Sequence, residues 1–192
     1  MSCTDLGAVC GDQSDGCGGT LPCGICDASA TCVMGQCACA DDGGEPNDAL
    51  EEAHRLPDFT DSPDTSMTFD AFATSDAMDD DWFRVAVTDA LDGGNPAIRI
   101  TLDNIPPGSD LDLAAWYVCN DGTASHTCTA GIPDSTVGQG CSASASGVTS
   151  ELVGIDTECN STTDESGTLY VRVQVHDWGG TCGPYRLRID VT

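Results

Sequence analysis

Eight of the chain's thirteen cysteines fall between Cys3 and Cys39, and the other five are scattered from Cys119 to Cys182. No other feature constrains the fold as strongly. Thirteen thiols are a hazard in a reducing compartment, whereas small exported domains use cystines in place of the core they are too short to build. The chain is therefore expected to be secreted or held at the cell surface, with nearly all cysteines oxidised. It divides into a cystine-rich domain over 1–40, an acidic, glycine-rich linker over 41–44 and a longer body over 45–192. The first part contains no Phe, Trp or Tyr and cannot bury a useful apolar core. Crosslinks must hold it. Its eight cysteines are expected to pair among themselves, while the five in the body leave one over or one that pairs outside the chain.

Cys23-x-x-Cys26 has the spacing of a zinc knuckle or a redox motif. Zinc needs a second pair, for which Cys37-Ala38-Cys39 is the candidate, and a redox motif needs a surrounding βα unit that this sequence lacks. Both cysteines are read as structural half-cystines.

The body alternates apolar and polar residues with period two, the pattern of half-buried strands. Phe83, Val85 and Val87 oppose Trp82, Arg84 and Ala86; Ile98, Ile100 and Leu102 oppose Arg99 and Thr101. Thr168–Val175 and Pro184–Val191 alternate in the same way, and weaker strands are expected at Ser66–Ala73, Leu111–Cys119 and Thr149–Ile155. About seven strands between Gly, Pro and Asp turns predict a mostly β protein, an antiparallel jelly-roll-like sandwich behind a small disulfide-rich domain. Phe83, Val85, Ile98, Ile100, Leu111, Leu113, Val171, Val173, Leu187 and Ile189 are the predicted core, and Arg99, Arg172 and Arg188 the tolerant outer face. A short helix is expected at Asp48–Arg55, with Asp48 and Glu51 as a capping box. The long segment 120–147, carrying Cys128 and Cys141, reads as a crosslinked or functional loop.

Thirty-two acids face six bases, all of them Arg, for a formal net charge of −26. Such a surface repels phosphate backbones and anionic membranes, which excludes nucleic acid as a partner. No run of apolar residues is long enough to span a bilayer. No signal peptide precedes Cys3, and the chain reads as a mature form or part of a larger secreted protein. Asp outnumbers Glu by 26 to six. Asp suits turns and high charge aids solubility in salty water, but clustered Asp carboxylates also build calcium sites.

Five stretches follow one another in the order of bacterial pre-peptidase C-terminal domains. They are Glu45-Pro46-Asn47-Asp48, Asp80-Asp81-Trp82-Phe83-Arg84-Val85, Asp110-Leu111-Asp112-Leu113, Gly167-Thr168-Leu169-Tyr170-Val171-Arg172-Val173 and Pro184-Tyr185-Arg186-Leu187. Nearly all of 45–192 resembles that family, whose members are β-sandwiches appended to secreted peptidases and other exoproteins, the collagen-binding domains of clostridial collagenases among them. The part before it, with Asp15-Gly16-Cys17-Gly18-Gly19-Thr20-Leu21 and Cys23-Gly24-Ile25-Cys26, is similar to a cystine-rich repeat of exported myxobacterial proteins. The resemblance implies a calcium site built from Glu45, Asn47, Asp48, Asp79 and Asp81, although Met78 stands where such relatives often place an acid. The plainer reading makes Asp48 a helix cap and Asp79-Asp80-Asp81 a solvated turn.

Catalysis finds little support. His54, His126 and His176 sit in unrelated contexts, with no His-Glu-x-x-His motif and no Gly-x-Ser-x-Gly elbow. The leading expectation is a non-catalytic module binding an extracellular protein or polysaccharide surface, with calcium as its cofactor. The alternatives are a disulfide-stapled structural or adhesive surface protein, and a fragment of a secreted peptidase.

Overall fold

The computed structural model describes residues 2–26, 30–39, 44–72, 80–90, 94–122, 125–160, 164–179 and 182–192. Apart from Gly44, the expected linker lies outside them.

The cystine-rich part forms two hairpins, β1 (Asp12–Ser14) with β2 (Thr20–Pro22) and β3 (Ala30–Val33) with β4 (Gln36–Cys39). Cys3–Cys23, Cys10–Cys32 and Cys26–Cys37 bridge it internally. Ala8 and Cys10 are its only buried hydrophobic residues among those described. Covalent bonds therefore replace burial, each closing a loop whose loss of unfolded-state freedom is worth roughly 3 kcal/mol in the chain-entropy account. Cys23 and Cys26 have different partners, which makes both structural.

Separate bridging of the two parts is overturned. Cys39 pairs with Cys182, which lies just before the last strand of the body, so a cystine staples the two parts together. The unpaired cysteine is Cys17, in the first part and exposed. The local cause is the turn that carries it: the Asp15 carboxylate accepts the N–H groups of Cys17 (2.7 Å) and Gly19 (2.8 Å), fixing a loop away from the other half-cystines. Native protein treated with a thiol alkylator should take up one label, at Cys17; labelling at Cys39 or Cys182 would contradict the staple.

The body contains β5 (His54–Arg55), β6 (Phe59–Thr60), β7 (Thr65–Ala71), β8 (Asp80–Thr88), β9 (Ala97–Asp103), β10 (Asp110–Cys119), β11 (Thr127–Ala130), β12 (Ile132–Asp134), β13 (Gly140–Ala143), β14 (Glu151–Asp156), β15 (Gly167–Asp177) and β16 (Tyr185–Val191). One sheet runs β12-β13-β10-β15-β8-β5, with β6 also on β8; the other runs β11-β14-β9-β16-β7. The fold is a mostly β sandwich with a disulfide-rich region, and its long strands pair antiparallel. Among the described strands, only the two-residue β5 and β6 run parallel to their neighbour β8. All ten predicted core residues are buried. They mesh from both sheets with Leu102, Val153, Ile155, Leu169 and Val191 into one cluster.

Two expectations fail locally. In place of a capped helix there is one 3-10 turn, Leu50–Glu52, whose N-cap is Ala49 with no side-chain cap. Asp48 is exposed, and His54 and Arg55 are already taken by pairing with Phe83 and Arg84 of β8. The segment 120–147 is crosslinked by Cys128–Cys141, but it is not a loop: it supplies β11, β12 and β13.

The outer face of the larger sheet is covered as well. Trp82 stacks on Trp116 with ring centroids 5.4 Å apart, and Ala53, Leu50 and Val137 pack over the pair. The Trp116 indole N–H donates to Asp134 at 2.9 Å. The Arg172 guanidinium sits 5.5 and 5.6 Å from the two ring centroids, with Asp80 3.7 Å away. Arg172 is thus no bare surface residue, which corrects its grouping with Arg99 and Arg188. Arg172→Ala is expected to destabilise by about 1–2 kcal/mol through lost cation–π contact and stem packing. Arg188→Ala, on an exposed side chain paired with Asp190, should stay within about 0.5 kcal/mol. Urea titrations of the two variants would show the difference.

Candidate metal centre

The chain enters the sandwich alongside β8. Leu56 N–H donates to Arg84 O (3.0 Å), Trp82 N–H donates to Asn47 O (2.9 Å), and β5 lies between these two ties. Asn47 is thereby drawn against the start of β8 and becomes fully buried. Its own N–H donates to a Glu45 carboxylate oxygen at 3.0 Å. Glu45, Asn47 and the start of β8 are thus held together by the Asn47 backbone, which reaches the Glu45 carboxylate on one side and Trp82 on the other.

Asp81 arrives from the other side. The alternation that sends Phe83, Val85 and Val87 inward sends Asp81 inward as well, and its carboxylate is fully buried at the end of the sandwich. Tyr185, on β16 of the facing sheet, donates its phenol O–H to Asp81 at 2.7 Å. Extending the β8 alternation back by one step would have placed an acid on the core face, a signal that turn-like Asp79-Asp80-Asp81 conceals. Nothing in the sequence singled out Tyr185 as its partner.

The Asn47 amide is the site's clearest anomaly. Both Oδ1 and Nδ2 are buried, and neither makes a hydrogen bond. A buried polar group left unsatisfied costs roughly 1–3 kcal/mol. A hard cation resolves this: amide and carboxylate oxygens are its natural ligands, and the waters it retains serve neighbouring donors. Glu45 Oε1 and Asp81 Oδ1 are likewise withdrawn from solvent. The donor set therefore fits calcium in its chemistry.

The other expected ligands are placed differently. Asp48 is exposed, and its charge acts on Asp80. Burial pushes the Asp80 carboxyl up, Arg172 pulls it back and Asp48 adds to the upward push. Asp79 and Met78 lie outside the described residues. Among the described residues no trio of carboxylates gathers at ligand spacing here. The clusters that do are Cys10, Cys26 and Cys37, and Cys119, Cys159 and Glu165, whose sulfurs are committed to disulfides.

The histidines have structural contacts. His54 packs edge-on against Phe83. His126 accepts the Glu158 N–H at Nδ1 (3.0 Å), which leaves Nε2 to donate to Tyr117 O (2.8 Å). His176 is exposed, 3.8 Å from Asp112.

On the far face of the smaller sheet, a cleft of about 570 Å³ is lined by Asp64, Ser66, Arg99, Arg188, Asp190 and Thr192 among others. Arg99, Arg186 and Arg188, half of the chain's arginines, are exposed on this sheet.

The fold and these sites define a cystine-stapled β-sandwich. No family model matches the chain, and no curated protein matches it.

Proposed function

We propose that the chain is a non-catalytic secreted binding or accessory module, of the pre-peptidase C-terminal type, whose opening segment is fastened to the sandwich by calcium. The observation that supports the calcium reading is the fully buried Asn47 amide without a hydrogen bond, set between Glu45 and β8. Glu45, Asn47 and Asp81 would hold the ion, with Asp79 as a further proposed ligand. Bound there, calcium supplies positive charge to a segment that otherwise crowds acids together. The six bridges favour an oxidising, extracellular setting.

The arginine-bearing cleft on the smaller sheet is the proposed ligand face, because it offers cationic donors on an otherwise acidic surface. Arginine there suits carboxylate or hydroxyl groups of an extracellular protein or polysaccharide. Pull-down on insoluble collagen, chitin and cell-wall material tests this, and Arg99→Ala with Arg188→Ala should weaken whichever retention is found. Turnover of casein, gelatin or ester substrates, abolished by one substitution, would contradict the non-catalytic reading. The exposed Cys17 thiol favours one second reading, an adhesive surface protein joined covalently to another chain. Non-reducing electrophoresis separates the two, since a disulfide-linked dimer lost on Cys17→Ser supports only the latter.

A further inference from the structure

Asp61 and Asp89 fall together at the other end of β8 from Asp81. In the parallel pair β6–β8, Thr60 lies opposite Thr88, so the residues that follow them leave the two strands side by side. Both acids are buried, with exposures of 7% and 5%. The chain has no Lys, and among the described residues the arginine ion pairs lie elsewhere, on Asp58, Asp80, Asp70 and Asp190. Two buried carboxylates without a base are costly to keep ionised.

Backbone donors hold both side chains in place. Ala90 N–H donates to Asp61 Oδ1 at 2.9 Å, and Glu165 N–H donates to Asp89 Oδ2 at 2.9 Å. The Asp89 N–H in turn donates to Ser166 Oγ at 2.9 Å. Asp89 Oδ1 is buried and receives no hydrogen bond. Beside it is the Asp61 carboxyl, which meets Asp89 side chain to side chain. Two ionised carboxylates repel in such a contact. A carboxylic acid and a carboxylate attract, because the acid O–H donates and the carboxylate is a strong acceptor.

The groups facing the pair do not supply that donor. Glu165, itself buried, adds negative charge and accepts the Cys159 N–H. Asp164 is another acid, and it accepts the Ser166 N–H at 2.9 Å. The Tyr117 phenol, on β10, donates to Glu165 O at 2.7 Å. Its ionisation is pushed up by burial and then by Asp89, Glu165, Asp61 and Asp164 in turn. His126 packs edge-on against Tyr117, has both ring nitrogens in use and is held toward its neutral form by burial. For Asp61, burial favours the protonated form, the Ala90 N–H opposes it and the Asp89 carboxyl favours it again.

We propose that Asp61 and Asp89 hold one proton between them in the folded protein, as a carboxylic acid–carboxylate pair in which the proton gives Asp89 Oδ1 its missing hydrogen bond. The proton halves the charge of the pair and clasps the end of β6, where the chain turns toward β7, to the end of β8. The clasp is a pH-sensitive device. The folded pair binds its proton more readily than an unfolded carboxyl does, so its contribution to stability is complete below the ordinary carboxylate range. It is lost as pH rises through the higher value in the folded protein, where the proton leaves and two buried charges face each other. The clasp lies away from the opening segment and does not depend on the calcium reading.

Melting temperatures of wild type, Asp89→Asn and Asp156→Asn in chelator, from about pH 5 to about pH 8, test the clasp. The amide introduced by Asp89→Asn carries a permanent donor toward Asp61 and keeps an oxygen for the Glu165 N–H. This variant should melt above wild type at the alkaline end, and the gap should close as pH falls. Asp156→Asn removes the same charge from an exposed strand end and should keep a constant offset from wild type. His126 is common to all three proteins, so its own loss of stability in acid cancels in the differences. An Asp89→Asn protein that melts at or below wild type throughout, or whose gap does not change with pH, overturns the proposal. Carbon-13 NMR of the wild-type side-chain carboxyls reads the proton without any variant. The Asp61 and Asp89 signals should move together, at a pH above that of Asp156; if both titrate with Asp156, the pair holds no shared proton.

Discussion

Leu113→Ala is expected to lower the free energy of unfolding by about 2–5 kcal/mol. Leu113 is fully buried on β10, with Val173 and Ala143 as its cross-strand neighbours in the larger sheet. The side chain points into the cluster shared by both sheets, so truncation removes apolar contact and leaves a cavity that close-packed strands cannot fill. Thr68→Ala, on the exposed face of β7, is the matched control and should change stability by less than about 0.5 kcal/mol. Both are measured by urea unfolding of the oxidised protein, with the slope unchanged. A loss under about 1 kcal/mol for Leu113→Ala would mean that this face does not form the core.

Calcium should stabilise the protein by roughly 2.7 kcal/mol at a hundredfold excess over its dissociation constant. The melting temperature should rise in calcium and fall with chelator, while magnesium acts far more weakly because it sheds its waters reluctantly. Asp81→Asn is the informative change at the opening segment. It keeps an oxygen to accept the Tyr185 phenol and removes the charge, so a diminished calcium shift would report the ion rather than lost packing. Asn47→Ala should diminish the shift too and, by removing an unsatisfied amide, cost little in chelator. Asp156→Asn, at an exposed strand end, should leave the shift intact. An unchanged wild-type melt at matched ionic strength would leave Glu45, Asn47 and Asp81 with structural roles only.

Much of the fold was legible because alternation is a direct consequence of the pleat. Each of the seven predicted strands exists, and Trp82 was rightly placed opposite Phe83. What alternation could not show was that Trp82's face is also covered, since Leu50, Ala53 and Val137 come from segments with no period of their own. Strands of two residues, such as His54–Arg55 and Phe59–Thr60, carry no periodic signal at all. In β11 and β13 the inward positions include Cys128 and Cys141, so a cystine stands where an apolar pattern would otherwise appear.

The candidate centre was legible only in part. Glu45, Asn47 and Asp81 were singled out from motif order, and the burial of Asn47 and Asp81 sets them apart from the solvated turn that Asp-rich stretches usually form. The helix that Asp48 was expected to cap does not form, and Asp48 is exposed. The Cys39–Cys182 bridge was hidden because an even count of cysteines in the first part does not oblige them to pair locally.

Hydrogen exchange in calcium and in chelator tests the central claim most directly. Two backbone amides fasten the opening segment to β8: Trp82, which donates to Asn47 O, and Leu56, which donates to Arg84 O. Calcium should slow exchange at both, while the amide of Ile100, in the middle of β9, exchanges at the same slow rate in either buffer. Equal exchange at Trp82 and Leu56 with and without calcium, at matched ionic strength, would contradict a calcium-fastened opening segment.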